Sequence, residues 1–427
     1  MPEHIDPARS AELVADIVWN AIERDRRVAW YAEDSERYLY RPDQLLVDAK
    51  FERELADLLA AEGARRVRCH SRDGRQLDRL GIRQWRLFGS NADARRSLMA
   101  IRDKAGDRAP RRAVTLSHIL AGAPIMKFGP GDLPEDGGTG PVKVEHSKRP
   151  GTGKGVRVSI LDTGFVKQST SKHPLLSHNY ADDGDDHDNF YDEARRHIRS
   201  VFGGHGTFIA GVIRQLAPDT DLNPEVTLDD VGLVDDVELA LDILGAKGTH
   251  ILNLSLAGPS EDQEPPEALR RALEAVRDHT DTVVVAAAGN DFLQAERAGI
   301  PEQKMWPAAF GGMKGFEHVV GVAAVDGNGE PAEWSNRGEW VRACAHGVGL
   351  RSTYLQGDMP LPAGALTLNF GPDATALWSG TSFATPRVVG AIAATMTSER
   401  RLSPREALDE VLAGGSPGPA GMGTFVD

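Results

Sequence analysis

The chain has 427 residues, with 63 acidic against 49 basic side chains and a formal net charge of −14. That length allows two domains, and the acidic balance argues against nucleic acid or an anionic membrane as a partner. Two cysteines are too few for a disulfide framework; Cys69 and Cys344 fall in different expected domains, so both are expected as thiols.

Met1 to Asn20 mixes Glu3, Asp6, Arg9, Glu12 and Asp16 among its apolar residues, which leaves no apolar core of signal-peptide length. No stretch reaches the length needed to span a bilayer, and the expected location is the cytoplasm. Ser10 to Arg24 has helical periodicity. Gln44 to Asp48 reads as a strand, and Phe51 to Ala64 as an amphipathic helix carrying Leu55, Leu58 and Leu59. Arg66 to Cys69 and Ile82 to Phe88 read as strands, Ala92 to Lys104 as a second helix, and Ala113 to Leu120 as a final strand. The resulting βαββαβ order is ferredoxin-like. It sets residues 1–122 apart as a small α+β domain.

Ala123 to Gly155 is rich in Gly and Pro and predicts a linker that buries no core. Residues 123–150 are assigned to it, and 151–427 to the main domain. There, strands are expected at Val156–Leu161, His250–Leu256, Thr282–Ala287 and Val319–Val325. Helices are expected at Thr207–Gln215, Val234–Lys247, Pro266–His279 and Thr385–Thr397. The alternation predicts an α/β fold with a doubly wound, mostly parallel sheet. A short helix follows from Ser403 to Leu412, with Ser403 as cap and Pro404 in the first turn.

Four segments carry chemistry. Val158 to Gly164 is an apolar strand that ends on Asp162, and a carboxylate there is costly unless paired. Gly203-Gly204-His205-Gly206-Thr207 opens an apolar helical stretch with a histidine. Val283 to Asn290 is an apolar strand of the kind a parallel sheet buries, and it ends in a lone amide. Gly380-Thr381-Ser382-Phe383-Ala384-Thr385-Pro386 places a serine hydroxyl beside the positive end of a helix. Each residue alone has an ordinary structural explanation: a turn, a structural histidine or a helix cap. Gly151-Thr152-Gly153-Lys154-Gly155 lacks the spacing of a phosphate loop and precedes a strand instead of following one. The serine run is not the Gly-x-Ser-x-Gly elbow, because Ala384 replaces its second glycine.

In the order Asp162, His205, Asn290, Ser382, the four segments resemble the subtilisin-like serine proteases, the subtilases. Asn253 to Gly258 is similar to that family's substrate-binding edge strand. The resemblance runs from about Gly151 to the end of the chain. It implies a serine endopeptidase in which Ser382 attacks a peptide carbonyl to give an acyl-enzyme. His205 moves the proton, Asp162 orients the imidazole, and Asn290 with the Ser382 amide binds the oxyanion.

By the same resemblance, a protein or peptide substrate lies extended along Ser255, Leu256, Ala257 and Gly258. Ala287, Ala288 and Gly289 wall the first specificity pocket, whose small residues imply a large side chain there. Residues 1–122 resemble the inhibitory propeptide of many subtilases, an intramolecular inhibitor; the other reading is an unrelated recognition domain. The chemistry needs no cofactor and no metal. Calcium is common in the family, and the acidic run from Asp182 to Asp188 supplies carboxylates, but without EF-hand spacing. A solvated acidic loop is the preferred reading, with structural calcium left open. Two other functions stay open on the same scaffold: a peptide cyclase or transpeptidase, and a catalytically silent binding or regulatory protein.

Overall fold

The computed structural model describes residues 17, 19–33, 36–67, 79–89, 92–122, 133–145, 152–166, 173–178, 187–229, 231–361, 366–396 and 400–426. Its centre is an eight-stranded sheet. In spatial order the strands are Asp221–Val226, Arg157–Asp162, Ile251–Leu254, Val283–Ala287, Val319–Val325, Val341–His346, Thr424–Phe425 and Ser416–Pro417. Every neighbouring pair is parallel except the last.

These strands are apolar throughout because both faces are covered. Val283 and Val285 face one core with Phe208, Ile213, Val388 and Ile392. Val284 and Ala286 face the other with Leu239, Leu269 and Leu273. Helices His205–Leu216 and Thr381–Thr395 therefore cover one side, and Asp236–Gly245 and Glu267–His279 the other. The expected doubly wound architecture is the observed one. The final helix, Pro404–Gly414, has the expected cap: Ser403 and Glu406 form a reciprocal capping box.

The N-terminal part forms a second, antiparallel sheet. Its order is Val114–Ala121, Glu36–Asp48, Ile82–Leu87, Ala64–Arg66, with Ala29–Glu33 on the free side of Glu36–Asp48. Helices Glu52–Ala61 and Ala94–Ala105 pack on it through Leu55, Leu59, Leu98 and Ile101. The strand expected at Arg66–Cys69 lies earlier, at Ala64–Arg66. Gly63, at φ +77, reverses the chain directly after the helix, so pairing begins at once. Cys69 lies outside the described residues, as does most of the helix expected at Ser10–Arg24.

The strand expected at Gln44–Asp48 starts at Glu36. An irregularity between Tyr40 and Leu45 accommodates Pro42 without ending the strand, which hid its first half from the sequence pattern.

Helix boundaries also shift, and the helix expected from Thr207 begins at His205. The helix expected from Val234 begins at Asp236, because Asp235 caps it by accepting from the Glu238 amide at 2.9 Å. Leu233–Asp235 is instead a strand, antiparallel to Ile119–Ala121. One sheet thus crosses from the N-terminal part to the main domain. The last expected helix starts at Thr381 and not at Thr385.

The described part of the expected linker does bury apolar residues: Leu133 and Val142 are both inside. Glu135–Asp136 pair with Ala376 and Leu377. The Arg351 guanidinium donates to the carbonyls of Gly137 and Gly140, both at 2.6 Å, which fastens the segment to the main domain.

Candidate active site

Asp162, Ser255 and Asn290 all sit at or just past the carboxyl ends of parallel strands, where open α/β sheets bind ligands. Asp162 is the last residue of its strand and fully buried. Its carbonyl accepts from the amides of Thr227 (2.8 Å) and Leu228 (3.1 Å). Its carboxylate accepts from the Thr163 amide at 2.8 Å and from His205 Nδ1 at 2.7 and 2.9 Å. A carboxylate only accepts, so the proton of the neutral imidazole lies on Nδ1 and Nε2 keeps its lone pair.

His205 opens its helix, and its ring packs against Trp378 (centroids 5.3 Å apart) and Phe383 (5.2 Å). Gly206 makes the approach of helix to strand feasible. A Cβ there would lie 2.5 Å from the Gly164 carbonyl oxygen.

Ser382 is the second residue of Thr381–Thr395, inside the first turn whose amides and dipole favour negative charge. Its hydroxyl donates to the Ser255 carbonyl at 3.3 Å, and its own carbonyl accepts from Ser255 Oγ at 2.8 Å. Pro386 explains the second bond. The amide that would normally take the Ser382 carbonyl is that of residue 386, and proline has none. Ser255 fills the vacancy and is itself held by Asn253 Nδ2 at 3.0 Å.

Asn290 is oriented from behind. Its Oδ1 accepts from the Thr381 amide (3.0 Å) and hydroxyl (2.8 Å), which turns Nδ2 away from the helix. Thr381 Oγ1 in turn accepts from the Gly289 amide at 3.1 Å. Asn336 clamps the same turn, donating to the Ala288 carbonyl at 3.0 Å and accepting from the Asp291 amide at 3.2 Å. Gly289 has φ +90, and a Cβ there would meet Asn336 Nδ2 at 2.7 Å. Ala287 and Ala288 are buried beside it.

The structure thus joins Asp162 to His205, Asn290 to the turn before Ser382, and Ser255 to Ser382. The Ser382 hydroxyl is engaged by Ser255 and not by His205 among the described hydrogen bonds. Along the expected substrate strand, Ala257 presents its backbone to the cleft. Gly258 turns the other way and exchanges both backbone bonds with Trp306, at 3.0 and 2.8 Å.

A model of the Subtilase family matches residues 153–413. The chain belongs to the subtilase family. It is 28% identical over 262 residues to an intracellular serine protease of Paenibacillus polymyxa, a match covering 56% of this chain and 66% of that one. It is 28% identical over 286 residues to the major intracellular serine protease of Bacillus subtilis, covering 61% and 76%. The fold is also that of fervidolysin from Fervidobacterium pennivorans, a keratinolytic enzyme related to subtilisin. That comparison has a TM-score of 0.60 at 20% identity, over 93% of this chain and 61% of the other.

In this subtilase the cleft beside Ala257 is already filled by its own chain. Ala121 and Ala257 exchange backbone bonds of 3.0 and 2.9 Å, and the Gly122 amide donates to the Gly232 carbonyl at 3.0 Å. Ile119 to Gly122 is therefore bracketed by Gly232–Asp235 on one side and Ala257 on the other. Arg41 pairs with Asp235 at 3.1 Å with both side chains nearly buried, and Arg102 pairs with Glu261 at 2.9 Å. Arg271 of the main domain reaches Asp48 and the carbonyls of Leu80 and Gly81.

Sequence reasoning missed several supports of the site. Thr381 and Asn336 orient the Asn290 turn, and only Thr381 stood beside a recognised motif. Asp188 is fully buried and accepts from the amides of Gly204 (2.7 Å) and Phe190 (2.9 Å). Burial pushes its carboxyl up to about 7. The sequence showed it only as one more member of an acidic run, whose residues 182–186 lie outside the described residues.

Cys344 is a free, buried thiol, which burial pushes up to about 12. Among the described residues no helix is long and apolar enough to cross a membrane, and no group of three or more His, Cys, Asp or Glu side chains is arranged to hold a metal.

Proposed function

We propose that this subtilase is a serine endopeptidase that cleaves protein or peptide substrates through Ser382, His205 and Asp162, and that residues 1–122 restrain it. The observation that carries the reading is the buried Asp162–His205 pair, 2.7 Å apart, in a chain whose Ser382 lies in the first turn of a helix beside the expected substrate strand. Ser382 Oγ attacks the carbonyl carbon. Its proton passes to His205 Nε2, and the resulting imidazolium is stabilised by Asp162. The oxyanion accepts from the Ser382 amide and Asn290 Nδ2, which is already pointed because Oδ1 is held by Thr381. Collapse expels the amine with the proton from His205 and leaves an acyl-enzyme, which water hydrolyses.

The restraint reading rests on Ala121. It uses the backbone of Ala257 that an extended substrate needs, so a tethered strand competes at high effective concentration. The intracellular relatives support a cytoplasmic site of action. The test is fluorophosphonate labelling combined with peptide hydrolysis, for the full chain and for Ser382→Ala. Labelling and hydrolysis lost together in the variant support the assignment; hydrolysis that survives in the variant overturns it.

A further inference from the structure

The strand in the cleft also reports what the cleft accepts. Ala121 stands opposite Ala257, so an antiparallel peptide in the same register sets the residue two places later opposite Ser255. The Ser255 carbonyl is 3.3 Å from Ser382 Oγ. The residue opposite Ser255 is thus the one whose carbonyl Ser382 would attack, and the Gly122 position is the one immediately before it.

Gly122 is buried, and its backbone does not demand a glycine, since its φ is not in the positive range. Space demands it. A Cβ on Gly122 would sit 2.8 Å from Leu228 Cδ1 and 3.8 Å from the Phe202 ring. The Leu228 contact is the one that must give, while the Phe202 ring stands at ordinary contact distance and limits anything larger than a methyl group. Leu228 is 2% exposed within a buried cluster of the main domain, so its Cδ1 yields only by repacking that cluster. The Phe202 ring already presses on Gly232, where a Cβ would meet it at 2.6 Å.

Resting on the endopeptidase reading, we infer that Leu228 and Phe202 close the subsite before the cleaved residue, so that this enzyme selects peptides with glycine immediately before that residue. The side chains of Ala121 and Leu120, before it, are buried in the apolar clusters and have room there that Gly122 lacks. Alanine in place of that glycine forces Leu228 to move by several tenths of an ångström within a packed core. A branched or aromatic side chain has nowhere to go.

The experiment uses the full chain and three peptides, acetyl-Leu-Ala-X-Phe-p-nitroanilide with X as Gly, Ala or Leu, alongside casein. Ratios of kcat/KM between peptides do not depend on how much of the enzyme is unrestrained, so a weakly active preparation suffices. The expected result is about a 10-fold loss for Ala and about 100-fold or more for Leu. Leu228→Ala is expected to bring the Gly to Ala ratio near one. Equal rates for the three peptides overturn the selectivity while leaving the endopeptidase standing. So does cleavage of casein with none of the peptides touched. A glycine preference unchanged in Leu228→Ala and in Phe202→Ala overturns the assignment to these two side chains. If neither casein nor any peptide is cut by the full chain or by the folded chain from which residues 1–122 have been removed, the endopeptidase reading fails and the selectivity with it.

Discussion

Ala121 and Ala257 lie 136 positions apart in the chain and exchange both of their backbone hydrogen bonds, at 3.0 and 2.9 Å. This pair joins the N-terminal sheet to the strand beside Ser382. It makes the cleft's occupant a part of the same chain.

Ala121→Pro removes the donor to Ala257 and leaves the rest of the N-terminal sheet in place. Losing that bond, with the Ala257 carbonyl unsatisfied until substrate arrives, costs on the order of 1–3 kcal/mol. The full-length variant is expected to hydrolyse a small peptide about 10-fold faster than the parent. An unchanged initial rate would show that the strand does not limit access.

Removal of residues 1–122 from folded enzyme is expected to raise the initial rate further, and adding those residues back as a separate chain to lower it. The separate chain loses the advantage of tethering, so inhibition becomes concentration-dependent. A trimmed enzyme that ignores the added domain would leave these residues as a recognition domain only. Titrating initial rate against added domain makes the measurement.

Ser382→Ala removes one oxygen from a helix turn whose backbone bonds remain. The expectation is a loss of about 10⁴-fold or more in kcat with an unchanged melting temperature. Residual peptide hydrolysis at the parental rate would place the nucleophile elsewhere.

Asn290→Ala is expected to lower kcat about 100- to 1,000-fold while KM changes little, since the bond forms to the oxyanion and not to the ground-state carbonyl. Thr381→Val tests the orientation of that amide. It removes the hydroxyl held by Asn290 and leaves the Thr381 amide, so a smaller kcat loss of the same kind is expected. A raised KM with normal kcat in either variant would make Asn290 a substrate-binding residue.

Asp188 makes stability depend on pH. Its carboxyl titrates near 7 in the fold against 3.8 for the free group, because burial disfavours the charge. Between those values the folded chain binds the extra proton, so this group's contribution falls as pH rises from about 4 to about 7. Asp188→Asn has nothing to titrate. Plots of melting temperature against pH are expected to lose that downward component in the variant, whatever their absolute level. Parallel curves for parent and variant would mean that Asp188 stays ionised in the fold.

The residues themselves determined the parallel core and the order of the site. Val283 to Ala287 is apolar on both faces, and a strand of that kind needs helices on both sides wherever it lies. Asp162, His205, Asn290 and Ser382 each stand at a strand end or helix start marked by neighbouring glycines and small residues, so local chemistry sufficed to propose them. Tertiary structure alone decided what those residues meet. That Ile119 to Gly122 fills the cleft follows from its pairing with Gly232–Asp235 and Ala257, partners far along the chain that its own sequence does not name. That Ser255 takes the Ser382 carbonyl freed by Pro386 depends on two segments meeting in the fold. Asp188 was one acid in a run of acids, and only burial against Gly204 and Phe190 set it apart. These relationships join segments far apart in the chain, and their energy comes from desolvation and from close approach, neither of which is written in any one stretch of sequence.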